Sequence, residues 1–131
     1  HRVGVLAFLD VLLPCCLLGH SIGKVGCFLS GDGCYGPQAD PQEVPWAMSF
    51  PNAMVPTTVP VHPTPIYESV CSLSVFLIAV LHFPFPSIPE SGASSTERTE
   101  KMPRTGSRTA VVLVLYGIER VILEQFRRHP P

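Results

Sequence analysis

Residues 3–22 read VGVLAFLDVLLPCCLLGHSI and carry Asp10 as their only formal charge. A helix that crosses the hydrocarbon core of a bilayer needs about 20 largely apolar residues, and this stretch meets that length. A cleaved signal peptide is a poorer interpretation, because Asp10 and Pro14 interrupt the apolar body and no small-x-small cleavage pattern follows. The sequence therefore predicts a helix that spans a membrane.

Two further apolar segments follow. Residues 69–89 contain no Asp, Glu, Lys or Arg, although Pro84 limits how far a helix can extend. Residues 109–126 are also apolar, but they include Glu119, Arg120 and Glu124. Charged residues make up only 15% of the 131 residues, against about 25% in an ordinary soluble domain. These features favour a multi-span membrane protein over the alternative, a soluble helical core.

We therefore expect an all-α integral membrane protein that forms a multi-span helical bundle. Its helices are predicted near residues 3–22, 66–83 and 109–127. An irregular segment rich in Pro and Gly is predicted over residues 23–65, which contain eight of the 15 prolines, and a polar loop over residues 87–108. The net charge of −1 argues against a nucleic-acid partner, since such a surface needs a basic patch.

The first candidate site is the glycine-rich stretch over residues 23–36, GKVGCFLSGDGCYG, which has five glycines in 14 residues. Consecutive backbone amides in such a turn can bind an anion, and Lys24 would add a positive charge. The spacing matches neither a P-loop nor a dinucleotide-binding fingerprint. On spacing alone, a helix-breaking turn remains the simpler interpretation.

The second candidate is HPTPIYE over residues 62–68. Here His62 could act as a base, Tyr67 as a hydrogen-bond donor and Glu68 as a partner to a cation. The alternative is a structural role, in which the two prolines and Glu68 simply start a helix near Ile66.

The third candidate lies in the last apolar segment. Tyr116, Arg120 and Glu124 are four residues apart and therefore share one helix face. Ionisable residues within a membrane helix are costly and usually functional, and the planar guanidinium of Arg120 suits a phosphate group. The alternative is that Glu124 lies at the membrane interface and that the long side chain of Arg120 snorkels, so that its guanidinium reaches the same interface.

The cysteines do not predict a metal site. Cys27 and Cys34 are seven residues apart, with His20 and His62 on either side, but no Cys-x-x-Cys pair occurs. We therefore expect neither a metal ion nor a cofactor.

Taken in order, these motifs resemble the bacterial prolipoprotein diacylglyceryl transferases. The resemblance rests on residues 23–36, on PWAMSFP over residues 45–51, on HPTPIYE over residues 62–68, and on Tyr116 and Gly117 followed by Arg120 and Glu124. It extends over roughly residues 5–86 and 103–128. Members of this family are multi-pass enzymes of the bacterial inner membrane. They move a diacylglyceryl group from phosphatidylglycerol to the lipobox cysteine thiol in the signal peptide of a prolipoprotein.

The resemblance implies partners and roles. Phosphatidylglycerol, the prolipoprotein signal peptide and membrane lipids would be the partners, with no cofactor. The residues implied to be catalytic are Arg120, Asp32, Glu124, His62 and Tyr116. Those implied to bind substrate are Lys24, Gly31, Gly36, Tyr67 and Glu68.

Three features depart from the family pattern. Lys24 replaces the signature arginine, which keeps the charge but loses the bidentate fork. Asp32 is shorter than the glutamate of many members, and the spacing after it suggests one extra residue. The family's upstream His-Gly-Gly segment would precede His1. The chain thus looks like the C-terminal part of such an enzyme, which need not be active by itself. The alternative is a non-catalytic paralogue that binds lipid or acts as a scaffold.

Overall fold

The computed structural model describes residues 4–83 and 106–126, which form three helices and one β-hairpin. Helix α1 covers Val5–Ser30 and helix α2 covers Thr64–His82, and between them lie strands β1 (Met48–Phe50) and β2 (Thr57–Val61). Helix α3 covers Ser107–Phe126. Helix α1 packs mainly along α2, and α3 packs against both.

Helix α1 is longer than the sequence predicts, since it continues past residue 22 through Gly23 and Gly26 to Ser30. A glycine weakens a helix by roughly 1 kcal/mol but does not have to end it. The helix ends at Gly31, whose φ of 63° lies in the left-handed region that favours glycine. A Cβ at Gly31 would also lie 2.3 Å from the Cβ of Ala53. Only the second half of the glycine-rich stretch is therefore a turn.

The segment predicted to be irregular over residues 23–65 contains a small antiparallel sheet. Met48 pairs with Val61 and Phe50 with Thr57, with an irregularity between the two pairs. The strands have three and five residues, and the second contains Pro60, so neither shows the long alternation that identifies a strand in a sequence. Helix α2 begins two residues before its predicted start, with Pro65 in the first turn, where a proline is tolerated.

The core lies where the three helices meet, and it consists of Leu17, Val75, Ala79 and Val112. Beside it, α1 and α2 are joined by two serines. The hydroxyl of Ser21 donates to the carbonyl of Ser69 at 3.0 Å, and the hydroxyl of Ser69 donates to the carbonyl of Ser21 at 2.9 Å. Small residues and hydroxyl bonds of this kind are typical of helix contacts inside a membrane.

Asp10 fixes the start of α3. Its carboxylate accepts hydrogen bonds from the backbone N–H of Gly106 at 2.6 Å, and from the N–H and hydroxyl of Thr109 at 2.8 and 2.7 Å. The buried guanidinium of Arg108 also donates to the backbone carbonyls of Asp10 and Phe83. The one charge in the first apolar segment therefore connects α1 to the N-terminus of α3. Of the polar loop predicted over residues 87–108, residues 87–105 lie outside the described part.

Two of the described helices are long and apolar enough to cross a membrane. They are α1 and α2, whose most apolar 18-residue windows have a mean hydropathy of 2.0 and 1.7. Apolar side chains project outward from them, among them Phe8, Ile22 and Leu81, each more than half exposed. Helix α3, predicted as a third span, does not meet the same criterion, because Arg108, Glu119, Arg120 and Glu124 lie along its length.

Candidate functional site

Three helices bring their charged side chains to one buried carboxylate. Glu68 of α2 is 1% exposed, and its Oε2 lies 2.7 Å from Lys24 Nζ and 3.5 Å from Arg120 Nη1. His20 Nε2 lies 3.9 Å from the same oxygen. We call His20, Lys24, Glu68 and Arg120 the Glu68 cluster.

Helix geometry explains how the cluster forms. His20 and Lys24 are four residues apart on α1 and so face the same side, towards α2. Tyr116 and Arg120 have the same spacing on α3. The rings of His20 and Tyr116 meet edge to face, with centroids 5.8 Å apart. Tyr116 thus borders the cluster through His20.

Among its own four residues, the Glu68 cluster holds more cations than carboxylates. One carboxylate lies against two cations, which leaves one positive charge when His20 is neutral. The Arg120 side chain is 36% exposed, whereas that of Lys24 is 13% exposed. Arg120 is therefore the cation that a ligand reaches more easily, and Glu68 fixes the positions of both.

A second buried carboxylate lies close to the cluster. Glu119 Oε1 accepts a hydrogen bond from the hydroxyl of Ser72 at 2.9 Å, and both residues are buried between α2 and α3. Neither His20 nor Glu119 was predicted as a site residue. Their signals were the four-residue spacing from His20 to Lys24 and the position of Glu119 next to Arg120.

His62 and Tyr67 form a separate group at the start of α2. The phenol oxygen of Tyr67 accepts a hydrogen bond from Trp46 Nε1 at 2.5 Å and lies 3.3 Å from His62 Nδ1. Tyr67 immediately precedes Glu68, so α2 connects this group to the Glu68 cluster. The predicted roles of His62 as a base and Tyr67 as a substrate contact remain predictions.

The carboxylate of Asp32 is hydrogen-bonded to two cysteine thiols. It accepts hydrogen bonds from the thiols of Cys27 and Cys34, which lower the pKa of Asp32. It also accepts the backbone N–H of Cys34 at 3.1 Å. Burial raises the pKa of the nearby Tyr35 phenol. The resemblance implies a catalytic role for Asp32, and in the structure its carboxylate lies against these two thiols.

The two glycines predicted to contact substrate make close backbone approaches. A Cβ at Gly36 would lie 2.7 Å from Thr64 Cγ2 and 2.8 Å from the Cβ of His62, so the turn packs directly on the start of α2. Gly31 ends α1 in the left-handed region. Glu124 is exposed, one helical turn beyond Arg120.

Comparisons with known proteins identify the family of the chain. The sequence matches the prolipoprotein diacylglyceryl transferase family over residues 1–130. A phosphatidylglycerol–prolipoprotein diacylglyceryl transferase of Clostridium tetani is 31% identical over 127 residues, 96% of this chain and 43% of the relative. The protein of the same name in Synechocystis is 32% identical over 131 residues, 97% of this chain and 41% of the relative.

A relative from Leptospira interrogans with the same name is 32% identical over 126 residues, 96% of this chain and 35% of that protein. The chain thus spans only 35 to 43% of the length of these three relatives. No solved structure matches the chain significantly. Because the family match extends over nearly the whole sequence, the chain belongs to the prolipoprotein diacylglyceryl transferase family.

Proposed function

We propose that the protein carrying this sequence transfers a diacylglyceryl group from phosphatidylglycerol to the lipobox cysteine thiol of prolipoproteins. The observation that carries the proposal is the Glu68 cluster, in which Lys24 and Arg120 meet one buried carboxylate. The names of the relatives support it, since each is a phosphatidylglycerol–prolipoprotein diacylglyceryl transferase. The substrate supplies what the cluster lacks, an anionic phosphate group.

The cations act on the leaving group. In the transfer, the thiolate sulfur attacks the glyceryl carbon that bears the phosphate, so a C–S bond forms and a C–O bond breaks. The electron pair of the C–O bond stays with the departing glycerol phosphate, whose negative charge grows as the bond breaks. Arg120 and Lys24 stabilise that charge, and preorganised donors of this kind usually contribute most to catalysis. Glu68 is a positioning residue, because it fixes both cations before the lipid arrives.

The thiol must lose its proton, since the thiolate is the attacking form. Two of the described imidazoles, those of His20 and His62, lie in the candidate site and can accept it. His20 belongs to the Glu68 cluster, whereas His62 lies beside Tyr67 at the start of α2. Asp32, Tyr116 and Glu124 complete the proposed catalytic set, and Gly31, Gly36 and Tyr67 the proposed substrate contacts.

The location follows from the same proposal. The protein is a multi-pass bundle in the bacterial inner membrane, with α1 and α2 crossing the bilayer and the charged face of α3 turned towards them. Both substrates are held in the membrane, phosphatidylglycerol by its acyl chains and the prolipoprotein by its signal peptide. The hairpin and the start of α2 then lie beside the bilayer surface. Trp46, which is 58% exposed, suits the headgroup region there.

A direct assay tests the proposal. The full-length protein in detergent is incubated with phosphatidylglycerol and a lipobox peptide, and the mass of the peptide is followed. A mass gain of one diacylglyceryl unit on the cysteine is expected. A control peptide with serine in place of that cysteine should gain nothing.

A folded protein that leaves the peptide unchanged, beside an active family member, would overturn the proposal. The alternative is then a non-catalytic paralogue that binds lipid, and the substitution of lysine for the signature arginine at position 24 is the feature that favours it. Retention of phosphatidylglycerol without transfer would identify that alternative.

A further inference from the structure

The end of α1 gathers three side chains of the kind that bind a metal ion. The sulfur atoms of Cys27 and Cys34 and a carboxylate oxygen of Asp32 all lie within 4.8 Å of one another. All three residues are half-buried. We call them the Cys27 cluster. The spacing of the cysteines predicts no metal site, and the fold nevertheless brings their side chains together.

Backbone geometry produces this convergence. Cys27 lies in the last turn of α1, and the helix ends at Gly31 with a φ of 63°. Gly33 follows with a φ of 89°. These two left-handed residues turn the chain back, so that Asp32 and Cys34 approach the helix end that carries Cys27. The cluster is thus built by a local turn that needs glycine at two positions.

The ligand types select the class of ion. Calcium and magnesium take oxygen ligands, so two thiolates exclude them. Zinc accepts both sulfur and carboxylate ligands in tetrahedral sites, with Zn–S bonds near 2.3 Å. Tetrahedral bonds of that length place two sulfur atoms about 3.8 Å apart. Since the two sulfur atoms lie within 4.8 Å of each other, they need to approach by about 1 Å at most.

We propose that Cys27, Asp32 and Cys34 bind one divalent metal ion of the zinc class. Binding forms two metal–sulfur bonds and one metal–oxygen bond, and the two thiols release their protons to solvent. The thiols now donate hydrogen bonds to the Asp32 carboxylate, so the ion takes the place of those two protons. A water molecule fills the fourth position.

Such an ion would stabilise the arrangement of α1 and α2. The hydroxyl of Thr64, the first residue of α2, donates to the carbonyl of Cys34 at 2.6 Å. A metal ion bound by Cys27 and Cys34 would therefore hold the end of α1 against the start of α2. Lys24 lies one turn before Cys27, and Glu68 lies one turn after Thr64. The bound ion would thus help to fix the two helix ends that carry Lys24 and Glu68.

Zinc binding to the full-length protein, purified in detergent with a non-chelating reductant, tests the proposal. After addition of ZnSO₄ and gel filtration, the metal content should be one zinc per chain. The Cys27→Ser and Cys34→Ser variants should retain none, whereas Cys71→Ser, which changes an exposed cysteine on α2, should retain one. The protein without any substitution offers a second readout, because zinc should protect Cys27 and Cys34 from alkylation and a chelator should reverse that protection.

Three results would overturn the proposal. One is unprotected alkylation of Cys27 and Cys34 at saturating zinc, which needs no variant to fold. Another is equal zinc content in Cys34→Ser and Cys71→Ser, which would indicate an adventitious ion only. The third is a disulfide between Cys27 and Cys34 that is present in cells and is still found in protein isolated without reductant. The thiolates would then be unavailable to bind a metal ion.

Discussion

The side chain of Glu68 connects all three described helices of this fold. It is 1% exposed and joins cations from two other helices. Lys24, Glu68 and Arg120 were each predicted from their motifs, but their meeting was not, because residue spacing does not reveal which helix faces pack together. His20 was missed for a related reason. It lies within an apolar stretch, and only the packing of α1 on α2 brings it to the carboxylate.

Replacing Glu68 with Gln should destabilise the fold strongly. The substitution keeps the shape but leaves Lys24 and Arg120 without their counter-charge, and removal of one partner of a buried ion pair costs roughly 3 kcal/mol or more. We expect the free energy of unfolding to fall by about that amount, measured by denaturant titration in detergent. Glu43→Gln, which changes an exposed carboxylate in a loop, is the matched control and should have no effect. Equal stability of the two variants would show that Glu68 is not a structural centre.

At the scale of elements, the helices were largely predictable, while their ends and the hairpin were not. Helix α1 passes through Gly19, Gly23 and Gly26 because its packing on α2 outweighs their weak helix preference, and it ends only where a left-handed residue is required. The hairpin escaped prediction because its strands have only three and five residues. Asp10 was noted as a lone charge, and the structure shows that it caps a helix nearly 100 residues later in the chain.

The cap at Asp10 can be tested by Asp10→Ala. The variant leaves two backbone N–H groups and the Thr109 hydroxyl without their acceptor, so we expect a loss of about 2 kcal/mol in the free energy of unfolding. Asp40→Ala removes an exposed carboxylate whose bond is local, to the N–H of Gln42, and should cost well under half of that. Proteolysis of α3 in native protein gives a second measure. If Asp10→Ala is no more sensitive than Asp40→Ala, the cap has no role in holding α3.

Gly36 tests the contact between the turn and α2. In Gly36→Ala the new methyl group would lie under 3 Å from Thr64 and His62, so the two segments must separate. We expect the transfer rate to fall at least tenfold, as His62 and the start of α2 move. Gly23→Ala is the control, since its methyl group meets nothing within 4 Å and alanine favours the helix. Similar transfer rates in the two variants would show that the close packing of Gly36 on the start of α2 is not needed for transfer.

At the scale of the molecule, low charge and long apolar segments predicted the class of protein, and the structure describes two helices able to cross a membrane. Helix α3, which was predicted as the third span, carries four charged residues, and two of them, Glu119 and Arg120, lie beside α2. Hydropathy alone could not separate α3 from the two apolar helices, because it averages over a helix and ignores which face carries each charge.

The membrane assignment predicts the behaviour of the full-length protein on extraction. Because apolar side chains cover much of the outward surface of α1 and α2, the protein should remain in the membrane pellet after an alkaline carbonate wash. A peripheral membrane protein released in the same wash serves as the control. Recovery in the supernatant would contradict the membrane-spanning arrangement.

In the proposed function, Arg120, held by Glu68, stabilises the charge on the lipid phosphate during transfer. This role is tested by comparing diacylglyceryl transfer to a lipobox peptide by the protein without substitutions, by Arg120→Ala and by Gln125→Ala, an exposed position on the same helix. We expect a loss of about 10²-fold or more in Arg120→Ala, as for removal of one catalytic donor, with unchanged membrane insertion. We expect an unaltered rate in Gln125→Ala. An unaltered rate in Arg120→Ala would show that Arg120 does not act on the lipid phosphate.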